Sequence, residues 1–326
     1  MAVVGKITMQ PLYKLTAWIR DYTQDPRHQA RLMADDFSWH QLCAALDTVD
    51  DTDEAVRAYL NGDFPTDNGE QYLRIYGILQ TLYVQQDSLH DLINAVHPTT
   101  QINVKDLLKD IRRARHRSVG HPTHAGPRGG PFSTNAIVRH TIRKDEFQLL
   151  SYPRTAHGVF QPVDLIRLIE QQNAETNRIL LEVIEDLRKQ DEAHRSKFRD
   201  VKMKSALDTV SYAFEKIFEE LGKDSVRALS GWAVDHLRTT LGQFEKLLED
   251  RGLTKDSYDS IKHLYLDIEY PLAQLRQYIS KEPSEIKSDR GAIVFTEALH
   301  GYFDRLRDIA IEIDEDYSSV PEGVSI

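Results

Sequence analysis

Apolar residues recur at helical spacing along most of the chain. Over residues 66–96 they follow one another every three or four positions, which predicts a long amphipathic helix that begins at Thr66 or Asp67. A second helix is predicted over Val104–Val119, with Gly120 in a left-handed conformation at its C-terminal end. The two helices are expected to form an antiparallel hairpin.

After this hairpin the hydrophobic period shortens. Residues Asn135–Arg143 and Phe147–Tyr152 alternate between polar and apolar positions, which predicts a short β-hairpin near residues 135–152. From Pro162 the helical period returns, and one helix is expected to run from there to about Asp200. Further helical segments follow it and suit a bundle.

These patterns predict an all-α fold with a small β-hairpin insertion, divided into a helical domain over residues 1–200 and a C-terminal helical bundle over residues 201–326. A length of 326 residues with 40% hydrophobic positions provides a core and excludes a disordered protein. The single cysteine, Cys43, excludes a disulfide-built secreted scaffold. No apolar run approaches the ~18 residues of a membrane span, so a soluble, cytoplasmic protein is expected.

The formal net charge of −10 argues against a protein coated with non-specific nucleic-acid contacts. The charge is unevenly distributed, however. Residues 101–144 hold ten Lys or Arg against two Asp, a local charge of +8, which leaves −18 on the remainder. Any function that the sequence discloses is therefore expected in this segment, which we call the basic segment.

The basic segment contains the residue types that cleave RNA without a metal. Arginine pairs with phosphate oxygens through a planar fork of donors, and histidine exchanges a proton near neutral pH. A histidine can take the proton of a ribose 2′-hydroxyl while arginine holds the charge that builds on the attacked phosphate. His121 lies between Gly120 and Pro122 at a predicted helix end, where its side chain is held and reachable.

The end of the predicted helical hairpin carries an arginine, five intervening residues and a histidine, namely Arg115 and His121. This pattern resembles the motif of the HEPN superfamily (higher eukaryotes and prokaryotes nucleotide-binding domains). The resemblance covers roughly residues 66–200. It implies a helical domain of HEPN type, a homodimer with facing motifs, and a metal-independent endoribonuclease of a toxin–antitoxin or antiviral defence system. Arg115 would bind phosphate and His121 would transfer protons. His116 replaces the asparagine that is common after the arginine and is expected to support catalysis.

The other candidates share a place in or beside the same helix end and are predicted to bind the RNA substrate: Arg112, Arg113, Arg117 and His124. His124 has an equally simple interpretation as a solvent-exposed loop residue. Arg188 and His194 show the same spacing within a charged helix and serve as an internal control, because no chemistry is expected there.

The histidines of this segment are not expected to bind a metal, since cysteine is absent, carboxylates are few and the flanking arginines repel a divalent cation. No cofactor is expected. One arginine and one or two histidines are few groups for an active site, so a homodimer is predicted, with an antitoxin or defence-system protein as a possible further partner. The alternative function is a non-catalytic helical adaptor or sensor that binds an acidic partner or nucleotide through the basic segment.

Overall fold

The structure, a computed structural model, describes residues 11–26, 28, 36–96, 99, 101–103, 108–126, 132–154, 157–221 and 227–318. The helices and strands in chain order are α1 (Tyr13–Gln24), α2 (Asp36–Asn61), α3 (Asn68–Val96), α4 (Leu108–Arg115), β1 (Ser133–Ile137), β2 (Glu146–Pro153), β3 (Val159–Asp164), α5 (Leu165–Phe198), α6 (Val210–Glu220), α7 (Ala228–Asp250), α8 (Asp259–Ile279) and α9 (Asp289–Ser318). A π-helical turn (His116–Gly120) continues α4, and short 3₁₀ turns occupy Arg139–Thr141 and Lys204–Leu207. The prediction of a mostly helical chain with a small β insertion is confirmed at this level.

The chain divides into two compact units. The first comprises residues 1–24 and 32–187, and the second comprises residues 25–31 and 188–325. Helix α5 contributes its residues up to Leu187 to the first unit and those from Arg188 onward to the second. The predicted boundary at residue 200 follows the end of this helix by two residues.

The first unit has two clusters of buried apolar side chains. One lies among α1, α2, the C-terminal half of α3 and α5, and is centred on residues such as Leu46, Leu92 and Val183. The other joins the N-terminal half of α3 to α4, the sheet and the start of α5, and includes Leu79, Ile111 and Phe147. Helix α4 is therefore held from its apolar side, which leaves its polar faces available.

Capping residues account for where α3 and α5 begin. The Oδ1 of Asp67 accepts a hydrogen bond from the backbone N–H of Glu70 at 3.0 Å, which confirms one of the two predicted starts of α3. The Oδ1 of Asp164 accepts from the N–H of Arg167 at 2.9 Å and caps α5 in the same way.

The β insertion is a sheet of three antiparallel strands in the order β1-β2-β3. Strands β1 and β2 pair as the predicted hairpin, with Asn135 opposite Ser151. The predicted extent of the first strand, to Arg143, is wrong, because β1 ends at Ile137 and Arg139–Thr141 form a 3₁₀ turn closed by the bond from the Ile142 N–H to the Arg139 carbonyl. The expectation that the following helix begins at Pro162 is wrong. Pro162 lies in β3, opposite Gln148, and α5 begins three residues later. Proline is tolerated there because β3 is an edge strand.

The sheet is tied to the C-terminal end of α2. The Nζ of Lys144 donates to the carbonyl oxygens of Leu60 and Gly62, both at 2.7 Å, and the Tyr59 hydroxyl donates to the Lys144 carbonyl, also at 2.7 Å. The ammonium of Lys144 thus satisfies carbonyls at a helix C-terminus, where positive charge is stabilising. One charge of the basic segment is accordingly used within the fold.

The second unit is a helical bundle built from the end of α5 and from α6–α9. Its core contains Phe214, Phe244 and Phe303, all at most 1% exposed. Arg251 is buried in this unit, and its guanidinium carbon lies 4.9 Å from the ring centroid of Phe198 and 5.2 Å from that of Tyr317.

Candidate functional site

The candidate site lies where α4 passes into its π-helical turn. The backbone N–H of His121 donates to the carbonyl of His116 at 2.8 Å, a hydrogen bond across five residues that ends the helix. This bond closes the loop between the two histidines of the motif. Single π-helical turns occur frequently at functional sites.

Gly120 does not adopt the left-handed conformation predicted for it. Among the described residues, Gly252 is the only glycine with a positive φ, so the φ of Gly120 is negative or extended. The physical reason for glycine at position 120 is space, because a Cβ there would lie 2.9 Å from Nη1 of Arg115. The π-helical turn brings the arginine side chain back against the backbone beside His121.

Two residues of α3 hold the Arg115 side chain in this position. Its Nε donates to Oε1 of Gln80 at 3.1 Å, and its guanidinium lies over the ring of Tyr83 at 4.6 Å from the centroid. These contacts occupy Nε and one face of the guanidinium. Its terminal nitrogens make no hydrogen bond to the described residues.

His116 and His121 form a pair. Their ring centroids are 5.2 Å apart with an interplanar angle of 62°, an edge-to-face arrangement. His116 is half-buried, whereas His121 is exposed. Burial lowers the pKa of the His116 imidazole below its ordinary 6.5, and the charges of His121 and the flanking arginines lower it further. The neutral form of His116, which accepts a proton, is therefore favoured.

Arg112 lies on the same face of α4 as Arg115 and is already paired. Its Nε donates to Gln86 at 2.9 Å and its Nη2 donates to Asp87 at 2.5 Å. Its guanidinium lies 4.7 Å from the ring centroid of Tyr83. Tyr83 thus contacts both arginines, and Arg112 holds one flank of the site through a half-exposed ion pair.

Arg113 and Arg117 lie together on another side of the helix, where they line a cleft. Arg113 forms an exposed ion pair with Asp110 at 2.7 Å. Arg117 donates from Nη1 to Oε1 of Gln161 on β3 at 2.8 Å. The four arginines predicted to act as one group are therefore divided between two faces.

His124 is not part of the histidine pair. It is exposed and stacks on Phe132 with centroids 4.1 Å apart. The loop that carries it is fixed to the sheet by the buried Asn135, whose Nδ2 donates to the Pro122 carbonyl at 3.2 Å. The Oδ1 of Asn135 accepts from the Ser151 hydroxyl at 2.6 Å.

Sequence reasoning missed Gln80, Tyr83 and Asn135. Gln80 and Tyr83 are three positions apart on α3, so they share a helix face, but that pattern alone does not say that α4 packs across it. Asn135 stands at an inward position of an alternating strand, where an apolar residue is usual. A polar residue at a buried strand position indicates that its side chain is hydrogen-bonded within the fold, and this pattern could have identified Asn135.

The internal control differs from the motif in its surroundings. His194 lies within α5, and its Nε2 is 3.1 Å from the hydroxyl of Tyr317. The ring of His121, in contrast, is exposed at a helix end and makes no hydrogen bond to the described residues.

Comparison with known proteins returned no match to a family model, to a curated protein or to a solved structure. Among the described residues, no three His, Cys, Asp or Glu side chains are grouped so that they could hold a metal ion. None of the described helices combines the length and apolar character needed to cross a membrane.

Proposed function

We propose that this chain is a metal-independent endoribonuclease of HEPN type, with Arg115, His116 and His121 as its catalytic residues. The observation that carries the proposal is the meeting of these three side chains at one accessible helix end, with the two imidazoles 5.2 Å apart. Arginine and two histidines are sufficient for cleavage by the 2′-hydroxyl.

The arrangement suits the division of acid and base. A positive charge on His121 disfavours a proton on His116 at this distance, because like charges repel, so His116 is the ring suited to accept a proton and His121 the ring suited to donate one. His116, with its lowered pKa, would accept the proton of the 2′-hydroxyl. The 2′-oxygen attacks the adjacent phosphorus, the bond from phosphorus to the 5′-oxygen breaks, and protonated His121 donates its proton to that leaving oxygen.

Arg115 would stabilise the phosphate during this step. Gln80 receives the hydrogen bond from Nε, and the terminal nitrogens, which make no hydrogen bond to the described residues, are left to donate to a phosphate. Charge-assisted hydrogen bonds from arginine to phosphate oxygens are strong because both partners are charged. The products would be a 2′,3′-cyclic phosphate and a 5′-hydroxyl.

This reaction needs one acid, one base and one cation, all of which a single chain supplies here. The homodimer and the antitoxin or defence-system partner stay predictions of the sequence. His121 is exposed and makes no hydrogen bond to the described residues, which favours an RNA-targeting toxin or defence effector over an adaptor, in which this side chain is expected to point into the fold or to hydrogen-bond the chain.

The experiment is cleavage of end-labelled RNA in EDTA by the wild type and by Arg115→Ala and His121→Ala. Arg139→Ala and His140→Ala are matched controls, since both residues are exposed in the basic segment and lie outside the site. We expect cleavage by the wild type and both controls, and a loss of at least ~10²-fold in each site variant. Dependence on a divalent ion, survival of activity in both site variants, or intact RNA in every assay of the wild type would contradict the proposal.

A further inference from the structure

A cleft of about 440 Å³ opens beside the candidate site, within the first unit. It lies between α4 with its π-helical turn, strands β2 and β3, and the start of α5. This volume is in the range of sites that bind a small molecule. Arg117 lines the cleft, while the preceding residue, His116, belongs to the histidine pair. One helical turn therefore carries both sites.

The lining combines an apolar surface with polar groups of both kinds. Apolar contacts come from residues that include Leu149, Val163 and Leu168. The polar residues, which balance in formal charge, are three arginines, three carboxylates and two glutamines: Arg113, Arg117, Arg167, Asp110, Glu146, Asp164, Gln161 and Gln171. A track for a phosphate backbone would carry a clear excess of positive charge. Mixed donors and acceptors around an apolar surface instead match a nucleobase, with its flat face and polar edge.

Several of these polar groups are already engaged. Arg113 pairs with Asp110, Arg117 donates to Gln161, and Asp164 caps α5. The side chains of Arg167 and Glu146 are exposed and make no hydrogen bond or ion pair to the described residues. The guanidinium of Arg167 and the carboxylate of Glu146 are therefore available to hydrogen-bond a ligand in the cleft.

Guanine is the base that complements this pair of groups. Arginine donates two hydrogen bonds to the O6 and N7 acceptors of guanine, and a carboxylate accepts from the N2 amino group. Adenine offers an amino donor beside N7, where arginine needs an acceptor. Resting on the proposed function, we propose that this cleft holds a guanine of the RNA substrate next to the cleaved bond, with Arg167 and Glu146 reading its edge.

Mononucleotides test this inference independently of cleavage, because they contain no internucleotide bond. Binding of GMP, AMP, CMP and UMP to the full-length protein would be measured by isothermal titration calorimetry. We expect GMP to bind most tightly, and Arg167→Gln and Glu146→Gln each to weaken GMP binding about tenfold or more, as the loss of a base-edge contact implies. Arg139→Gln, which alters an exposed arginine outside the cleft, should leave it unchanged.

GMP binding and RNA cleavage are measured on the same wild-type sample, because GMP presents the base without the bond that is cut. GMP binding that persists while RNA stays uncut would thus reject the nuclease and keep the base site. Absent GMP binding, equal affinity for all four nucleotides, or wild-type affinity in Arg167→Gln and Glu146→Gln would overturn the base site alone. Circular dichroism confirms that each variant is folded.

Discussion

Replacement of Gly120 by alanine is expected to change the position of the Arg115 guanidinium while it has little effect on the free energy of unfolding. The new Cβ would lie 2.9 Å from Nη1 of Arg115 and 3.8 Å from Nδ1 of His116, whereas ordinary contact begins at 3.4 Å. The guanidinium must retreat by about half an ångström. The backbone of Gly120 is not in the left-handed region, so alanine is compatible with its conformation.

The effect on stability is expected to be small. Displacement of Arg115 weakens its hydrogen bond to Gln80, which contributes about 0.5–1.5 kcal/mol, and its cation–π contact with Tyr83, about 0.5–1 kcal/mol. Alanine returns about 0.4–1 kcal/mol by restricting the unfolded chain. The free energy of unfolding should therefore fall by no more than about 1–2 kcal/mol.

The effect on cleavage is expected to be much larger. A misplacement of about 1 Å at a catalytic group can cost ~10²-fold in rate, so a shift of half that size should lower kcat/KM by about ten- to a hundredfold.

The assay compares initial rates of RNA cleavage in EDTA with thermal unfolding of the same samples. Gly242→Ala is the matched control, because this exposed glycine of α7 has nothing within 4 Å of a built Cβ. It should gain about 0.5–1 kcal/mol of stability and keep its activity. Wild-type cleavage by Gly120→Ala, or a loss of its fold together with its activity, would refute the reasoning.

Three further predictions follow from the surroundings of the site. The pKa of His116 is lowered in the folded protein, so the unfolded chain takes up a proton on this imidazole more readily. The free energy of unfolding should therefore fall as the pH drops from 6.5 through the pKa of the folded state. NMR titration should give a His116 midpoint below 6.5, and a midpoint at or above 6.5 would contradict this. Ser118→Ala should raise the free energy of unfolding by up to about 1 kcal/mol in denaturant titrations, because the buried Ser118 hydroxyl has no hydrogen-bond partner among the described residues; a destabilised variant would contradict this. Asn135→Ala should lower stability by about 1–3 kcal/mol and reduce cleavage, since it removes the side-chain hydrogen bond to the Pro122 carbonyl and leaves the buried Ser151 hydroxyl without its acceptor, while the backbone bond from residue 135 to Pro122 remains. The exposed Gln148→Ala in the same sheet should change neither, and equal effects of the two would refute the argument.

The sequence pattern located most of the elements around the site. The helical period over residues 66–96 predicted α3 because apolar positions on one face must all reach the same core. The alternation over 135–152 predicted β1 and β2. Strand β3 was missed because it is short, contains Pro162 and merges with the helical pattern of α5.

The motif itself was local enough to predict, since Arg115 and His121 are separated by less than two helical turns. The groups that fix Arg115 were not predictable, because Gln80 and Tyr83 depend on how α4 is rotated against α3. The local charge of +8 was also incomplete as a guide. A sum over residues does not show that Lys144 caps α2 or that Arg112 is paired with Asp87.

The ends of the RNA products report directly which atom attacks the phosphate. Mass spectrometry of fragments formed in EDTA should find 2′,3′-cyclic phosphate and 5′-hydroxyl ends, and a single 2′-deoxynucleotide at the cleavage position should stop the reaction there. Fragments with 3′-hydroxyl and 5′-phosphate ends, or cleavage at the 2′-deoxy position, would contradict an attack by the 2′-hydroxyl assisted by His116 and His121.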